Sequence, residues 1–266
     1  MLKFTKIHGI GNDYIYINLL EEKVSNIKEL AIRLSDRHFG VGSDGIIYID
    51  KSETADFKMR IFNPDGSEAE MCGNGIRGIG KYLYDKKLTS KDVLSIETNA
   101  GIKYLKLNID NGSVFSVCVD MGKYKYIKEL SMPVGKKIYD LNCISMGNPH
   151  AITFVDSIDK INLNKVGKFI SENEQFPNRT NVEFVKIIDK NNIDIRVYER
   201  GVGETLACGT GACASVVSAY LNDYVENNVV VRLPGGSLEI YIDKTSNNVY
   251  MTGPTEIVYE GKIENL

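Results

Sequence analysis

The chain has 266 residues, a formal net charge of -3, 43% hydrophobic residues and 25% charged residues. It can bury one large core or two ordinary ones, and its mixed, slightly acidic charge gives no footprint for nucleic acid. No run is apolar for long enough to span a bilayer as a helix, and five scattered cysteines, with no Cys-x-x-Cys and no histidine clustered with them, exclude a disulfide framework and a zinc centre.

In chain order, the first residues, "MLKFTKIHGIGNDY", alternate as a strand does and lack the apolar stretch of a signal peptide, which points to the cytoplasm and away from membranes. "KFTKIH", "DYIYIN", "GIIYID" and "ADFKMRIF" are the early strands. Between them, "SNIKELAIRLSD" places Ile27, Leu30, Ala31 and Leu34 at helical spacing behind Ser25 or Asn26 as cap. "NGIRGIGKYLYDK" is a second helix, opened by "EMCGNGIRG". "VLSIET" and "IKYLKLNI" follow as a pair of strands about the turn "NAG".

The second half offers "VFSVCVDM", "NCISMG", "AITFV", "VEFVKII", "IDIRVYE", "NVVVRLP", "LEIYID" and "NVYMTG" as strands. "NLNKVGKFISEN" is a helix of weaker pattern, and "TGACASVVSAYLND" is a helix opened by "ACGTGACA". Gly75, Gly78 and Gly80 in one cysteine-led helix, and Gly211, Ala212, Ala214 and Ser215 in the other, predict close approach of surrounding strands. Glycine within a helix costs about 1 kcal/mol against alanine, so packing has to supply the reason for it. The expected fold is α+β, with a curled, mostly antiparallel sheet around a central helix, built twice.

Landmarks recur at one spacing: Asn12 and Asn148, Arg60 and Arg196, Glu68 and Glu204, Cys72 and Cys208, and Gly75 and Gly211 each lie 136 positions apart. This predicts two homologous half-domains, 1–112 and 113–254, meeting near "DNGS", with 255–266 returning to complete the first.

Each cysteine turn opens a helix whose free N–H groups and partial positive charge suit a carboxylate, and glycine lets a ligand approach that backbone. The same environment is expected to lower a thiol pKa. Two such turns, facing one substrate carbon from opposite sides, can remove a proton with one sulfur and return one with the other. That is racemisation or epimerisation without cofactor or metal. Cys118, Cys143 and Cys213 read instead as small buried hydrophobes. A thiol–disulfide role lacks a neighbouring cysteine pair, and phosphate binding lacks the lysine and Ser/Thr ending of a P-loop. Asn63 in "IFNPDG", Asn148 and His150 in "GNPH", Asn181 in "RTNVEF", and Glu199 and Arg200 in "YERG" add a polar set suited to a zwitterionic amino acid.

Through "KIHGIGNDY", "GVGSDG", "NPDGSEAEMCGNGIRG", "MGNPH", "RTNVEFV", "VYERGVGETLACGTGACA", "PGGSLEI" and "TGPTEIVYEG", the chain resembles the diaminopimelate epimerases over nearly its whole length. The resemblance implies a pyridoxal-independent enzyme interconverting LL- and meso-diaminopimelate for lysine and cell-wall synthesis, with two pseudo-symmetric domains that close on substrate and a homodimer. It implies Cys72 and Cys208 as the acid/base thiols, supported by His150 and Glu199. Gly73, Asn74, Gly209 and Thr210 would offer N–H groups to the reacting carboxylate. Asn12, Asn63, Asn148, Asn181, Glu199 and Arg200 would hold the remaining polar groups, and Tyr259 would be a dimer contact. Gly45 stands where some members carry glutamine. Proline and hydroxyproline racemases of the same fold are the nearest alternative, but they usually show His after "MCG" where this chain has Asn74. Relatives in phenazine biosynthesis lack the thiols, and both are present here.

Overall fold

The computed structural model describes residues 1–264; the last two residues of the expected returning tail lie outside the described residues. The described chain divides into two compact units, one made of Met1–Val119 and the chain from Gly253 on, the other of Asp120–Thr252.

In the first unit, β1 (Leu2–Gly9) and β2 (Asn12–Asn18) form a hairpin, α1 (Ile27–Ser35) crosses over, and β3 (Ile46–Asp50) pairs parallel to β2. Then β4 (Phe57–Phe62) pairs antiparallel to β3, and the short β5 (Glu68–Ala69) folds back on β4. After α2 (Gly73–Asp85), β6 (Val93–Thr98) lies parallel to β4, followed by antiparallel β7 (Gly101–Asp110) and β8 (Ser113–Lys123). The "DNGS" turn is the tip of the β7–β8 hairpin, and the division between units falls further on, within β8.

β2 and β3 are buried along most of their length because both faces are covered. One face carries Ile15, Ile17, Ile46 and Tyr48, which pack with Leu30, Ala31 and Leu34 of α1. The amide oxygen of Asn26 accepts from the Glu29 N–H and fixes where that helix begins. Tyr16 and Ile47, of opposite parity, face α2. A methyl on Gly75 would come 2.5 Å from Ile47 Cδ1, and one on Gly78 would come 2.2 Å from the Tyr16 hydroxyl. The helix glycines therefore answer to packing. Arg77, with no exposed surface, donates to the carbonyls of Gly73 and Pro254.

The second unit repeats the pairing order. It contains β9 (Lys125–Val134), β10 (Lys137–Ser145), β11 (Pro149–Phe154), α3 (Leu163–Ser171), β12 (Asn181–Asp189), β13 (Asn192–Glu199) and β14 (Gly203–Thr205). Then come α4 (Gly209–Leu221), β15 (Asn228–Leu233), β16 (Gly236–Ile242) and β17 (Asn248–Pro254). β11 and β12 are the parallel central pair, as β2 and β3 are, and β13 and β15 match β4 and β6. α3 covers a cluster of Leu141, Ala151, Val182 and Phe184, while α4 packs on the strands β10 to β13 and on β15 and β16. Finally β18 (Glu256–Ile263) pairs with β1, as β9 pairs with β10.

Strand β9 has no counterpart among the strands expected from sequence. Leu130, Met132 and Val134 alternate into the core cluster under α3, but only Met132 is fully buried, and Tyr126 and Ile127 face outward, so the core signal is confined to the end of the strand. It is held by its backbone ladder to β10 and by those three side chains.

Alanine favours a helix over glycine by about 1 kcal/mol, whereas overpacking a rigid core costs about 1–3 kcal/mol. The Tyr16 ring is buried, and its hydroxyl donates to the Gly75 carbonyl at 2.6 Å, so it has little freedom to retreat. Gly78→Ala is expected to lower the melting temperature measured by calorimetry; a rise would show that Tyr16 moves aside freely.

Candidate functional site

Cys72 precedes α2 in an extended conformation, and its sulfur accepts the Gly75 N–H at 3.4 Å. Cys208 precedes α4 in the same way, its sulfur accepting the Gly211 N–H at 3.4 Å. Each thiol is thus the side-chain cap of its helix, beside the N–H groups of the first turn, which have no partner within the helix ladder. Those groups belong to Gly73 and Asn74 in one unit and to Gly209 and Thr210 in the other.

In the first unit the Tyr14 hydroxyl donates to Cys72 Sγ at 3.4 Å, and the thiol donates to Asn12 Oδ1 at 3.4 Å. Asn74 donates to the same Asn12 oxygen at 3.3 Å, and Asn12 donates onward to Asp44 at 2.8 Å. Asp44 in turn receives Arg37. Burial, then the neighbouring Cys72 sulfur, pushes the Tyr14 phenol well above its usual range, so Tyr14 remains a donor.

In the second unit Cys208 Sγ lies 3.6 Å from the Thr210 hydroxyl, which accepts from Asn148 at 3.2 Å. Asn148 Oδ1 lies 3.1 Å from His150 Nε2, and His150 Nδ1 lies 2.7 Å from Glu183 Oε1. The His150 and Glu183 side chains are wholly buried. The expectation of a lowered thiol pKa fails at Cys208. Burial, followed by the charges of Glu199 and Glu183, pushes this thiol well above its ordinary value, against the opposing Thr210 and Gly211 hydrogen bonds. Desolvation and two carboxylates outweigh one helix terminus.

The remaining expected residues are placed as follows. Asn181 is buried, and its oxygen accepts the Arg200 N–H at 2.9 Å, which joins the end of β13 to the start of β12. The Glu199 carboxylate accepts the Thr205 hydroxyl at 2.6 Å. Arg200 reaches the Asn178 carbonyl from a surface position. Asn63 follows the end of β4, with its amide donating to the Ser67 hydroxyl. Tyr259 is on β18 and half exposed, its ring edge against Phe4. Gly45 has φ +148°, and a methyl there would come 2.3 Å from the Phe62 carbonyl, so no side chain fits. Of the other cysteines, Cys143 and Cys213 are buried and Cys118 is half-buried. Burial pushes Cys143 up to about 11, so it is inert.

Sequence reasoning missed Tyr14, Asp44 and Glu183. The repeat spacing carried the signal for two of them. Tyr14 stands 136 positions before His150, and Ile47 stands 136 before Glu183. A broad cavity of about 1160 Å³ on the second unit, lined by residues such as Tyr139, Phe154 and Tyr224, includes none of the site residues.

Two units, each a curled sheet about a cysteine-capped helix, place the chain in the α+β fold class of the PhzF-like proteins. The crystal structure of a PhzF-family phenazine biosynthesis protein from Bacillus anthracis superposes with a TM-score of 0.78 at 18% identity, covering 99% of each chain. The family model for diaminopimelate epimerase matches residues 4–127 and 142–258. A diaminopimelate epimerase of Methanococcus maripaludis strain S2 is 50% identical, over 99% of this chain and 100% of its own. One from Acetivibrio thermocellus is 49% identical over 99% of both. The chain belongs to the diaminopimelate epimerase family.

A raised thiol pKa means that thiolate appears only as pH climbs past the raised value. Iodoacetamide labelling of Cys208, followed by peptide mass spectrometry across pH 6–11, is therefore expected to lag behind that of an ordinary cysteine until the alkaline end. Half-labelling near pH 8.5 at the rate of a free thiol would contradict the burial argument.

Proposed function

We propose that the chain epimerises LL-2,6-diaminopimelate to the meso form by a cofactor-independent, two-thiol mechanism. Family membership together with the duplicated cysteine cap carries this reading. One thiolate takes the α-proton and becomes a thiol. The electron pair left on the α-carbon spreads into the carboxylate, where helix N–H groups oppose the added charge. The other thiol delivers its proton to the opposite face and becomes the thiolate. The protein's proton count is unchanged and the carbon is inverted.

The N–H groups of Gly73, Asn74, Gly209 and Thr210 would take the reacting carboxylate. Asn12 and Asn148, each within reach of a cysteine cap, would orient the nearby polar groups. Asn63, Asn181, Glu199 and Arg200 would select the distal ammonium and carboxylate, which a proline ring lacks. His150 and Glu199 would support the second thiol. The reading extends to the cytoplasm, to the supply of lysine and peptidoglycan precursors, and to a homodimer. Among the described residues, no helix is long and apolar enough to cross a membrane.

Incubation with LL-diaminopimelate in heavy water is expected to yield meso product carrying one deuterium at the inverted carbon, with no exchange into proline. Serine is a good N-cap, so Cys72→Ser and Cys208→Ser should keep the fold. Each should cut kcat by about 10²- to 10⁴-fold, the usual contribution of general acid–base catalysis. Native turnover in either variant would refute the two-thiol assignment.

The dimer reading rests on β18, where Val258 and Tyr259 are 55% and 44% exposed on neighbouring positions. Tyr259→Asp is expected to shift light-scattering mass from two chains to one; a monomeric parent would end this part of the reading.

A further inference from the structure

A charged network lies beside the first cap. Asp44, just before β3, collects three donors: Arg37 at 2.8 Å on Oδ1, and the Asn12 amide at 2.8 Å and the Asp13 N–H at 3.1 Å on Oδ2. Arg37 also donates to Asp13 at 2.8 Å. Lys6, buried in β1, pairs with Asp13 at 2.5 Å and donates to the Gly42 carbonyl. The Asp44 N–H returns to the Asp13 carbonyl at 2.8 Å. Burial raises the Asp13 carboxyl, but the hydrogen bonds and charges of Arg37 and Lys6 outweigh it and hold the group below its ordinary range. Two cations and two carboxylates thus brace the loop before β3 against the start of β2, where Asn12 stands.

An asparagine amide has two unlike ends, and its partners decide which end faces where. A carboxylate paired with arginine only accepts, so the Asn12 end turned to Asp44 is the NH2. Asn12 Oδ1 is therefore turned to the cap, where it receives the Asn74 amide at 3.3 Å and the Cys72 thiol at 3.4 Å. In the second unit the repeat positions of Asp44 and Arg37 hold Thr180 and Asn173. The Thr180 hydroxyl donates to the Asn181 carbonyl. There Asn148 turns the other end of its amide to the cap, with its NH2 donating to Thr210, the counterpart of Asn74. One amide in each unit flanks the same helix position, and the two present opposite ends to it.

We propose that Asp44 is a positioning residue: braced by Arg37, it fixes the Asn12 amide with its oxygen toward the first cap, as the acceptor for a substrate ammonium group. The inference rests on the epimerase reading and deepens it. The N–H groups of Gly73 and Asn74 are donors, which serve a carboxylate. A zwitterionic amino acid brings one strong donor group, its ammonium, and a carbonyl oxygen beside the carboxylate cradle is the complement of that group. The Cys72 S–H is a weak donor, so an ammonium replaces it at Asn12 with a stronger bond. With the amide reversed, an NH2 would face both the ammonium and the Asn74 NH2, with donors on every side and no acceptor.

The ammonium keeps its charge and its N–H groups from the ground state to the transition state, so its acceptor contributes equally to both. Asp44→Ala, which frees the amide to turn, is therefore expected to raise the KM for LL-diaminopimelate about tenfold, the scale of one charge-assisted hydrogen bond, with kcat within about twofold. Arg37→Gln, at an exposed position, should raise KM by about threefold. A purely structural role would lower the fraction of active molecules, and so lower kcat at constant KM. That pattern in Asp44→Ala would overturn the proposal.

A second measurement uses the parent protein. In nitrogen-15 NMR, with the Asn12 side-chain signals identified by their loss in Asn12→Ala, the Asn12 NH2 protons are expected to exchange with water at least about tenfold more slowly than those of exposed asparagines. They should keep that protection when LL-diaminopimelate binds, because the ligand meets the oxygen. Exchange at the free rate, or protection that arises only with ligand, would overturn the proposal. Failure of the parent to incorporate deuterium into diaminopimelate in heavy water would instead overturn the epimerase reading, and leave the protected amide in place.

Discussion

Each half of this protein depends on a sulfur atom accepting one backbone N–H. Cys72 and Cys208 cap α2 and α4 at the same distance and in the same extended conformation. The cap fixes where the helix starts, and so which first-turn N–H groups stand beside the sulfur. One atom thereby sets both the local structure and the place where a carboxylate and a thiol meet. The third residue onward must be glycine in both helices, because the space a methyl would take belongs to Ile47 in one unit and to Glu183 in the other.

Around this constraint the two units diverge only in side chains. The ladders match strand for strand, with a parallel pair at the centre and a helix on each face. Arg60 binds Glu68 at 2.8 Å, and Arg196 binds Glu204 at 2.8 Å, each tying the short strand before its cysteine to the preceding long one. These ion pairs are partly exposed, and each is worth at most about 1 kcal/mol. They aim the chain at the cap more than they hold the unit together. Behind the cap the similarity stops, with a phenol and an aliphatic chain on one side and an imidazole and a carboxylate on the other. A duplicated backbone has kept two thiols in equivalent frames and given them unequal surroundings.

Much of this was legible in the sequence because duplication leaves an arithmetic trace. The spacing shared by Cys72 and Cys208, and by Asn12 and Asn148, marked the paired caps and their amides before any coordinate. The helix glycines announced close packing, which Tyr16 and Ile47 supply. Two kinds of feature stayed hidden. Strand β9 alternates into the core only at Leu130, Met132 and Val134, too short a stretch to stand out beside its exposed first half. Glu183 sits in "NVEFV", an apolar strand where a single acid reads as an outward-facing residue. Only the curl of the sheet about α4 turns it inward. The thiol pKa was misjudged for a related reason. Helix polarity can be read along the chain, but the depth of burial and the two carboxylates beside Cys208 are properties of packing.

The first unit also serves as an internal control for what the second unit's buried acid does. Ile47 occupies the equivalent place, fills the same space beside the helix glycine, and supports the same cap and the same parallel strand pair. The fold therefore has no need of a carboxylate there. Burying a carboxylate costs desolvation that an aliphatic side chain does not, and its imidazole partner offsets part of it. Stability alone would favour the aliphatic residue in both units. A buried acid–imidazole pair at one of two otherwise equivalent positions is therefore where the surroundings of the two caps part.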